Sequence, residues 1–277
     1  FAFSTPRNPY QTKMANHAIN IGIEHILNNQ NRIFAKYAEA FRTPDLDSRN
    51  QTCVSSYNYP CSDPAFFLKD QITDEIEFGI RHNQNNLTLN ASIFEMNTLN
   101  EIRYLPEKNN TNLDPIKRRG LNLDINYAVD TKTNISGSFS YIDAYFTSGS
   151  LTRGAFEGTY AANSQTALNK MDTSRNLSDG TYSIAGLKVP LVSEYLYNIG
   201  LDYMMPQDIL FKINISYADD MFVSNDQENI EPTIPSYYLF DLSLSGDDEY
   251  GMWSFGIDNI FNTSYYNFAV ASSSHID

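Results

Sequence analysis

Two cysteines, Cys53 and Cys61, lie eight positions apart in a polar segment of the sequence. Thiols at this spacing can close a short loop, and such a disulfide would stabilise it by about 2–3 kcal/mol. A metal site needs more ligands, and none of the four histidines lies nearby in the sequence. We therefore predict a Cys53–Cys61 disulfide, which implies an oxidising compartment such as a periplasm or the cell exterior. Two unpaired thiols are the alternative.

Two further groups of side chains are candidates for binding a ligand. Four aromatic residues surround the cysteines, and they can either stack on a planar ligand or pack the loop against itself: Tyr57, Tyr59, Phe66 and Phe67. The one tribasic run is Lys117, Arg118 and Arg119. Its cationic groups can attract an anionic solute or the phosphates of a lipid surface. A solvated rim is the alternative for this run.

No pattern of residues predicts catalysis, a metal site or a resident cofactor. The sequence lacks both G-x-S-x-G and H-E-x-x-H. Glu75 and Glu77 lie two positions apart, which places both on one face of a strand. We interpret them as hydrogen-bonding groups on a polar wall and not as a catalytic pair. We therefore expect a binding protein and not an enzyme.

Composition narrows the class of protein further. The chain has 277 residues, a formal net charge of −14 and a mean hydropathy of −0.40. No apolar run exceeds four residues, whereas a membrane-spanning helix needs about 20. The acidic balance argues against a nucleic-acid partner, because phosphate binding requires clustered Lys and Arg. The 19 Tyr and 17 Phe are the feature that a fold has to explain.

Alternation of apolar and polar residues with a period of two recurs ten times and predicts ten strands. The predicted strands are 19–24, 33–38, 72–80, 87–93, 121–127, 135–141, 195–203, 209–217, 238–245 and 253–258. Connections of four to six residues alternate with long ones, of which the longest spans 147–193. Successive connections of antiparallel strands lie at opposite ends of a sheet. One end is therefore expected to carry tight turns, and the other all the long loops.

Two architectures fit amphipathic antiparallel strands. A soluble, secreted β-sandwich buries its apolar faces against each other, whereas a transmembrane β-barrel turns them towards lipid and lines its lumen with polar residues. Three features favour the barrel: strands of about 9–11 residues, Tyr near strand ends, and a second face rich in Ser, Asn, Gly and Asp instead of Lys and Glu. The alternation of short and long connections is also typical of outer-membrane barrels, with periplasmic turns and extracellular loops.

Five segments, in this order, resemble the C-terminal half of the barrel of TonB-dependent outer-membrane receptors. They are a strand ending in Phe-Arg-Thr-Pro (33–44), a strand closing with Glu-Phe-Gly-Ile-Arg (68–81), the strand start Arg-Gly-Leu-Asn-Leu-Asp (119–124), the strand entry Val-Pro-Leu-Val-Ser-Glu-Tyr (189–195) and Ile-Asp-Asn-Ile-Phe-Asn (257–262) followed by Tyr-Tyr (265–266). The fourth segment departs from the family, because Ser193 stands where a second Pro is common.

The resemblance implies that the chain supplies about ten strands of a larger barrel of about 22 strands, filled by a plug domain. It implies a receptor in the bacterial outer membrane that imports a scarce solute, foremost a ferric siderophore, with energy from TonB–ExbB–ExbD passed through the plug. For such a receptor, the run 117–119 is a candidate site for an anionic ferric complex or for lipopolysaccharide.

The same resemblance predicts that residues 1–277 form part of a receptor barrel, because neither a plug domain nor the closing strand is recognised in them. Two alternatives remain from the residues themselves. One is a smaller stand-alone outer-membrane barrel of the porin or lipase/protease type. The other is a soluble secreted β-sandwich that binds polysaccharide.

Overall fold

The computed structural model of the chain describes residues 15–45, 68–105, 109–152, 181–224, 226–249 and 251–270. Its strands are β1 (Ile19–Ile26), β2 (Asn31–Arg42), β3 (Gln71–Gln84), β4 (Leu87–Leu99), β5 (Ile102–Leu105), β6 (Asn109–Asn112), β7 (Ile116–Ala128), β8 (Thr133–Phe146), β9 (Ser150–Thr152), β10 (Thr181–Ser183), β11 (Tyr195–Met204), β12 (Leu210–Ala218), β13 (Tyr237–Asp248) and β14 (Gly251–Ile257). A single 3-10 turn, Pro206–Asp208, is the one helical element among these residues. None of the described helical segments has the length and apolar character needed to cross a membrane.

Ten of the strands form one antiparallel sheet in the order β1-β2-β3-β4-β7-β8-β11-β12-β13-β14. They include all ten strands predicted from the alternation, so the all-β antiparallel class is confirmed. The other four strands form two small hairpins, β5 with β6 and β9 with β10, inside long connections. The sequence analysis missed these hairpins, because strands of three or four residues are too short to show a period.

The register keeps residues of like polarity together on each face of the sheet. Tyr217 lies opposite Tyr197 on β11 and Tyr238 on β13, and its ring centroid lies 4.7 and 4.6 Å from theirs. On the other face, Asn198 lies opposite Ser216. Because successive side chains point to opposite faces, the sheet has one apolar face and one polar face throughout.

No second layer covers the apolar face in the described part of the chain. Ile23 on β1 is 72% exposed and Phe255 on β14 is 58% exposed. A β-sandwich would pack such residues against a facing sheet at about 10 Å. The described strands therefore do not form the sandwich that was one of the alternatives.

Tight turns join the strand pairs at one end of the sheet, which we call the turn end. In the β1–β2 turn, Asn28 Oδ1 accepts the backbone N–H groups of Gln30 and Asn31, each at 2.9 Å. In the β7–β8 turn, Asp130 Oδ1 does the same for Lys132 and Thr133, at 2.7 and 2.8 Å. Short polar side chains stabilise turns in this way, which is why Asn and Asp dominate there.

The predicted turn between the third and fourth strands was too long. β3 continues to Gln84, so His82 lies inside a strand and its Nδ1 is 2.8 Å from Asn31 Oδ1 on β2. Only Asn85 and Asn86 form the turn, and Asn85 has a positive φ of 35°. Asn tolerates this conformation better than most residues, which allows a two-residue hairpin.

The main buried cluster lies at the opposite end of the sheet, which we call the loop end. Phe146 and Ile116, at the ends of β8 and β7, pack with Ile184 and Val189 from the connection before β11, and all four are at most 1% exposed. Backbone hydrogen bonds hold that connection along β8, from Phe146 N to Leu187 O and from Val189 N to Ala144 O. The loop end is therefore a packed structure and not a set of separate loops.

Candidate functional site

The middle of the polar face is a concave wall of neutral hydrogen-bonding groups. A cavity of about 690 Å³ lies against it, and its lining includes Asn90, Ser92, Asn122, Ser138, Ser140, Asn198 and Ser216. Strand alternation places these residues side by side, and they bond each other: Ser140 Oγ donates to Asn122 Oδ1 and Asn198 Nδ2 donates to Ser216 Oγ, both at 2.8 Å. Such a wall offers both donors and acceptors to a polar partner.

Charged residues on the polar face concentrate on β1, β2 and β3. Glu24 lies between two arginines, 3.2 Å from Arg32 and 2.5 Å from Arg81. The guanidinium of Arg81 also lies over the Phe34 ring, 4.6 Å from its centroid. One side of the wall thus carries paired charges next to an aromatic ring.

The two glutamates singled out in the sequence belong to this charged region. Glu75 and Glu77 both face Lys36, whose Nζ lies 3.1 Å from the first carboxylate and 3.6 Å from the second. An arrangement in which one ammonium group lies between two carboxylates neutralises part of their charge. It agrees with the interpretation of these residues as hydrogen-bonding groups of a polar wall.

The tribasic run does not form one cationic patch. Arg118 lies on the polar face, where it bonds Thr98 Oγ1 at 3.2 Å and Glu101 at 2.6 Å. Lys117 and Arg119 lie on the face shared with Leu121, because side chains alternate along β7. Lys117 pairs with Glu95 at 2.7 Å and Arg119 with Asp143 at 2.9 Å. Each of the three cations already has a carboxylate partner.

Asp143 also joins the run to a lysine that the sequence analysis did not single out. Lys188 Nζ lies 2.8 Å from Asp143 and also contacts Glu194. Burial lowers the pKa of Lys188, but the hydrogen bonds to Asp143 and Glu194 outweigh that effect, so its pKa is raised above the usual value. The ammonium group therefore stays charged and holds the connection before β11 against β8.

A loop clamp closes the loop end on the side of β12. Asn229 Oδ1 accepts the backbone N–H of Lys188 at 2.7 Å, and its Nδ2 donates to the Lys188 carbonyl at 3.0 Å. The buried Asp226 accepts the N–H groups of Ile230 and Glu231, each at 3.0 Å. Nothing in the local sequence indicates this clamp, because it pairs residues 41 positions apart.

A crevice of about 380 Å³ lies beside this clamp. Its apolar lining includes Val189, Val192 and Phe222, and its charged lining includes Glu194, Asp219 and Asp220 together with Lys188. The crevice is therefore open to a ligand with both an apolar and a polar or cationic part. It is a second candidate site, which sequence reasoning missed because two separate connections form it.

The Asp-Asn-Ile-Phe-Asn segment after β14 has a clear structural explanation. Asn259 and Asn262 both have φ of 51°, and Asn259 bonds both backbone groups of Thr263, at 2.8 and 2.9 Å. The Asn259 N–H donates to Asp241 at 2.8 Å, and the Phe261 ring lies 4.9 Å from Phe240. The segment ends the strand and fastens the chain to β13.

Six predicted site residues lie outside the described residues: Cys53, Cys61, Tyr57, Tyr59, Phe66 and Phe67. The disulfide and the aromatic binding site accordingly stay predictions. Within the described ranges, no group of three or more His, Cys, Asp or Glu side chains is arranged to hold a metal ion.

Solved structures of similar fold include three bacterial receptors, all below 20% identity, so the likeness concerns the fold alone. The ferric yersiniabactin uptake receptor FyuA from Yersinia pestis has a TM-score of 0.66 at 14% identity, over 92% of this chain and 34% of that one. The siderophore receptor PiuA from Acinetobacter baumannii has 0.64 at 19%, over 91% and 33%. The ferric-catecholate import receptor Fiu from E. coli K12 has 0.60 at 15%, over 91% and 31%.

The chain thus spans about a third of the length of these receptors. None of the curated proteins compared with it matches. A family model, described as TonB dependent receptor-like, beta-barrel, matches residues 7–260. That match includes all ten strands of the sheet, with its apolar face, its polar wall and its alternation of turns and long connections. The chain belongs to the TonB-dependent receptor family and forms part of its β-barrel.

Proposed function

We propose that the full-length protein is a receptor in the bacterial outer membrane that binds a ferric siderophore and imports it with energy from TonB–ExbB–ExbD. The observation that carries the proposal is a single-layer sheet with an exposed apolar face and a polar wall, in a chain that belongs to this family. In a membrane barrel, lipid covers the apolar face and the polar wall lines the lumen. Three solved structures of similar fold are receptors for iron complexes or siderophores.

The parts of the chain then have distinct roles in transport. The wall of Asn and Ser side chains faces a plug domain supplied by the rest of the full-length protein, and outer-membrane lipid surrounds the apolar face. The loop end faces the cell exterior, where Cys53 and Cys61 form a disulfide and Tyr57, Tyr59, Phe66 and Phe67 contact the solute. Arg118 is the member of the tribasic run that can reach the lumen, because it lies on the polar face.

Uptake of radioactive iron by whole cells tests this function. A strain that lacks the receptor is complemented with the full-length gene and supplied with a panel of ferric siderophores. We expect one ferric complex to be imported only when both the receptor and TonB are present. A strain without TonB is the matched control, since binding persists there while import stops. Iron uptake that does not change with the receptor for any complex would contradict the proposal.

Fractionation tests the cellular location by a separate route. The full-length protein should be recovered with the outer membrane, and its folded form should migrate differently in gel electrophoresis before and after boiling. Recovery from the aqueous fraction without detergent would instead agree with a secreted protein.

A further inference from the structure

The first observation concerns the wall that a transported solute passes. Between β4 and β12 the wall is made of Asn, Ser and Gly side chains at Asn90, Ser92, Gly120, Asn122, Asn126, Ser136, Ser138, Ser140, Asn198, Gly200, Asn214 and Ser216. Asp124 is the charged residue that lies in the middle of this region, and Lys212 pairs with Asp202 at 3.3 Å towards the turn end. Amide and hydroxyl groups bond a solute without requiring it to be charged.

The second observation is that cations of the polar face are already neutralised. Arg32, Lys36, Arg81 and Arg118 each contact a carboxylate of the same face. Arg42 at the loop end of β2 is an exception, since no carboxylate lies within ion-pair distance of it in the described ranges. An anionic solute would have to replace an existing partner at each paired cation, which removes most of the gain.

The third observation is the charge at the loop end. The connection between β12 and β13, residues 219–236, contains five acidic residues and no Lys or Arg. Asp220 and Glu231 in it are exposed. Each of the other three long connections contains at least as many acidic as basic residues. An entrance with an excess of one charge lowers the local concentration of solutes with the same charge within a Debye length of about 8 Å.

From these three observations we infer that the solute carries no net negative charge and is recognised through hydrogen bonds to neutral groups. The inference rests on the proposed function and specifies the chemical class of its solute. An uncharged ferric complex, as formed by three hydroxamate groups around one Fe³⁺, belongs to this class. A ferric complex of three catecholates, with a charge of −3, does not. The five acidic residues of the 219–236 connection disfavour its approach, and the neutral wall gives it no compensating cation.

The charge at the entrance can be measured without any transport. Thr233, which lines the crevice at the loop end, is replaced by Cys in the full-length receptor in outer membranes. Two thiol reagents of similar size, one with a sulfonate and one with a trimethylammonium group, then modify it at low salt. We expect the cationic reagent to react at least tenfold faster, and the ratio should fall towards one as salt is added. A receptor without the new Cys supplies the background rate.

Two double variants separate a local effect from a general one. D220N/E231Q removes two exposed charges at the loop end, and D247N/E249Q removes two at the turn end. The first should reduce the ratio of the two rates severalfold, and the second should leave it unchanged. An anionic reagent that reacts as fast as the cationic one would overturn the inference, as would an equal effect of both double variants.

Uptake of two iron complexes then separates this inference from the proposed function. In cells with the receptor and TonB, we expect uptake of the uncharged trihydroxamate complex to exceed that of the tris-catecholate complex at least tenfold. Faster uptake of the tris-catecholate complex would overturn the inference while supporting a siderophore receptor. Uptake of neither complex, together with a fast cationic reagent, would contradict siderophore import and support the charge selectivity of the entrance.

Discussion

At the scale of single residues, short polar side chains at the turns and strand ends do more than connect strands. Asn28 and Asp130 each bond two backbone N–H groups in equivalent turns. Asn259 bonds both backbone groups of Thr263 after β14. Each of these side chains satisfies backbone groups that the sheet leaves without partners, which the fold requires where strands end.

Asp130 provides a test at this scale, because its charge affects only one turn. The N–H groups of Lys132 and Thr133 lower the pKa of Asp130 below its usual value of 3.8. A lowered folded-state pKa contributes stability that is present above pH 3.8 and is lost as the pH falls through the folded-state pKa. We therefore expect the stability difference between wild type and Asp130→Ala to be constant from pH 7 to about pH 5 and to shrink below pH 3.8.

The matched control is Asp130→Asn, since Asn28 makes the same two hydrogen bonds in the β1–β2 turn. Asp130→Asn should keep the hydrogen bonds and remove the pH dependence. Unfolding of the full-length protein in detergent, followed against urea at each pH, measures both differences. An Asp130→Ala difference that grows as the pH falls would contradict this assignment.

At the scale of elements, close approach between strands explains particular glycines. A Cβ on Gly120 in β7 would lie 2.1 Å from the Tyr141 carbonyl oxygen and 2.9 Å from the Phe94 ring. A Cβ on Gly22 in β1 would lie 3.8 Å from the nearest atom, Ala35 O, which is an ordinary contact. Gly120 is thus required by the neighbouring β8 backbone, and Gly22 is not.

Gly120→Ala should therefore destabilise the barrel by about 1–3 kcal/mol, because the strand must shift to relieve the contact. Gly22→Ala serves as the control and should change stability by less than about 0.5 kcal/mol. The measurement is the urea midpoint of the folded full-length receptor in detergent. Equal midpoints for the two variants would show that β7 and β8 can separate without cost.

The buried cluster at the loop end gives a second prediction for the elements. Phe146 is fully buried there against Ile116, Ile184 and Val189. Phe146→Ala should cost about 3–5 kcal/mol locally and loosen the connection before β11 from β8. Limited proteolysis of whole cells should then cut this connection faster. Phe255→Ala on the apolar face, far from the cluster, should leave the rate of cutting unchanged, and an equal increase for both variants would contradict the role of the cluster.

At the scale of the whole molecule, the two faces of the sheet require two different surroundings. Adjacent residues on β11 provide the comparison, because Ile199 lies on the apolar face and is 48% exposed, while Asn198 lies on the polar face. A lysine facing lipid near the middle of the membrane costs about 2–4 kcal/mol, whereas the lumen accepts charges.

Ile199→Lys should therefore reduce the amount of folded receptor in the outer membrane, and Asn198→Lys should not. Heat-modifiable migration of the outer-membrane fraction measures the folded amount of each variant. A loss of folded protein for Asn198→Lys but not for Ile199→Lys would mean that the faces are assigned the wrong way round.

The sequence by itself determined the ten long strands, their two faces, the alternation of turns with long connections, and the family. These features depend on the order of neighbouring residues, since a period of two can be read over fewer than ten positions. The tertiary structure decided that Arg118 lies apart from Lys117 and Arg119, and that each already has a carboxylate partner. It also decided the two small hairpins, the Asn229 clamp and the buried cluster around Phe146. These features join residues that are distant in the chain, so they follow from strand register and loop packing and not from any local pattern.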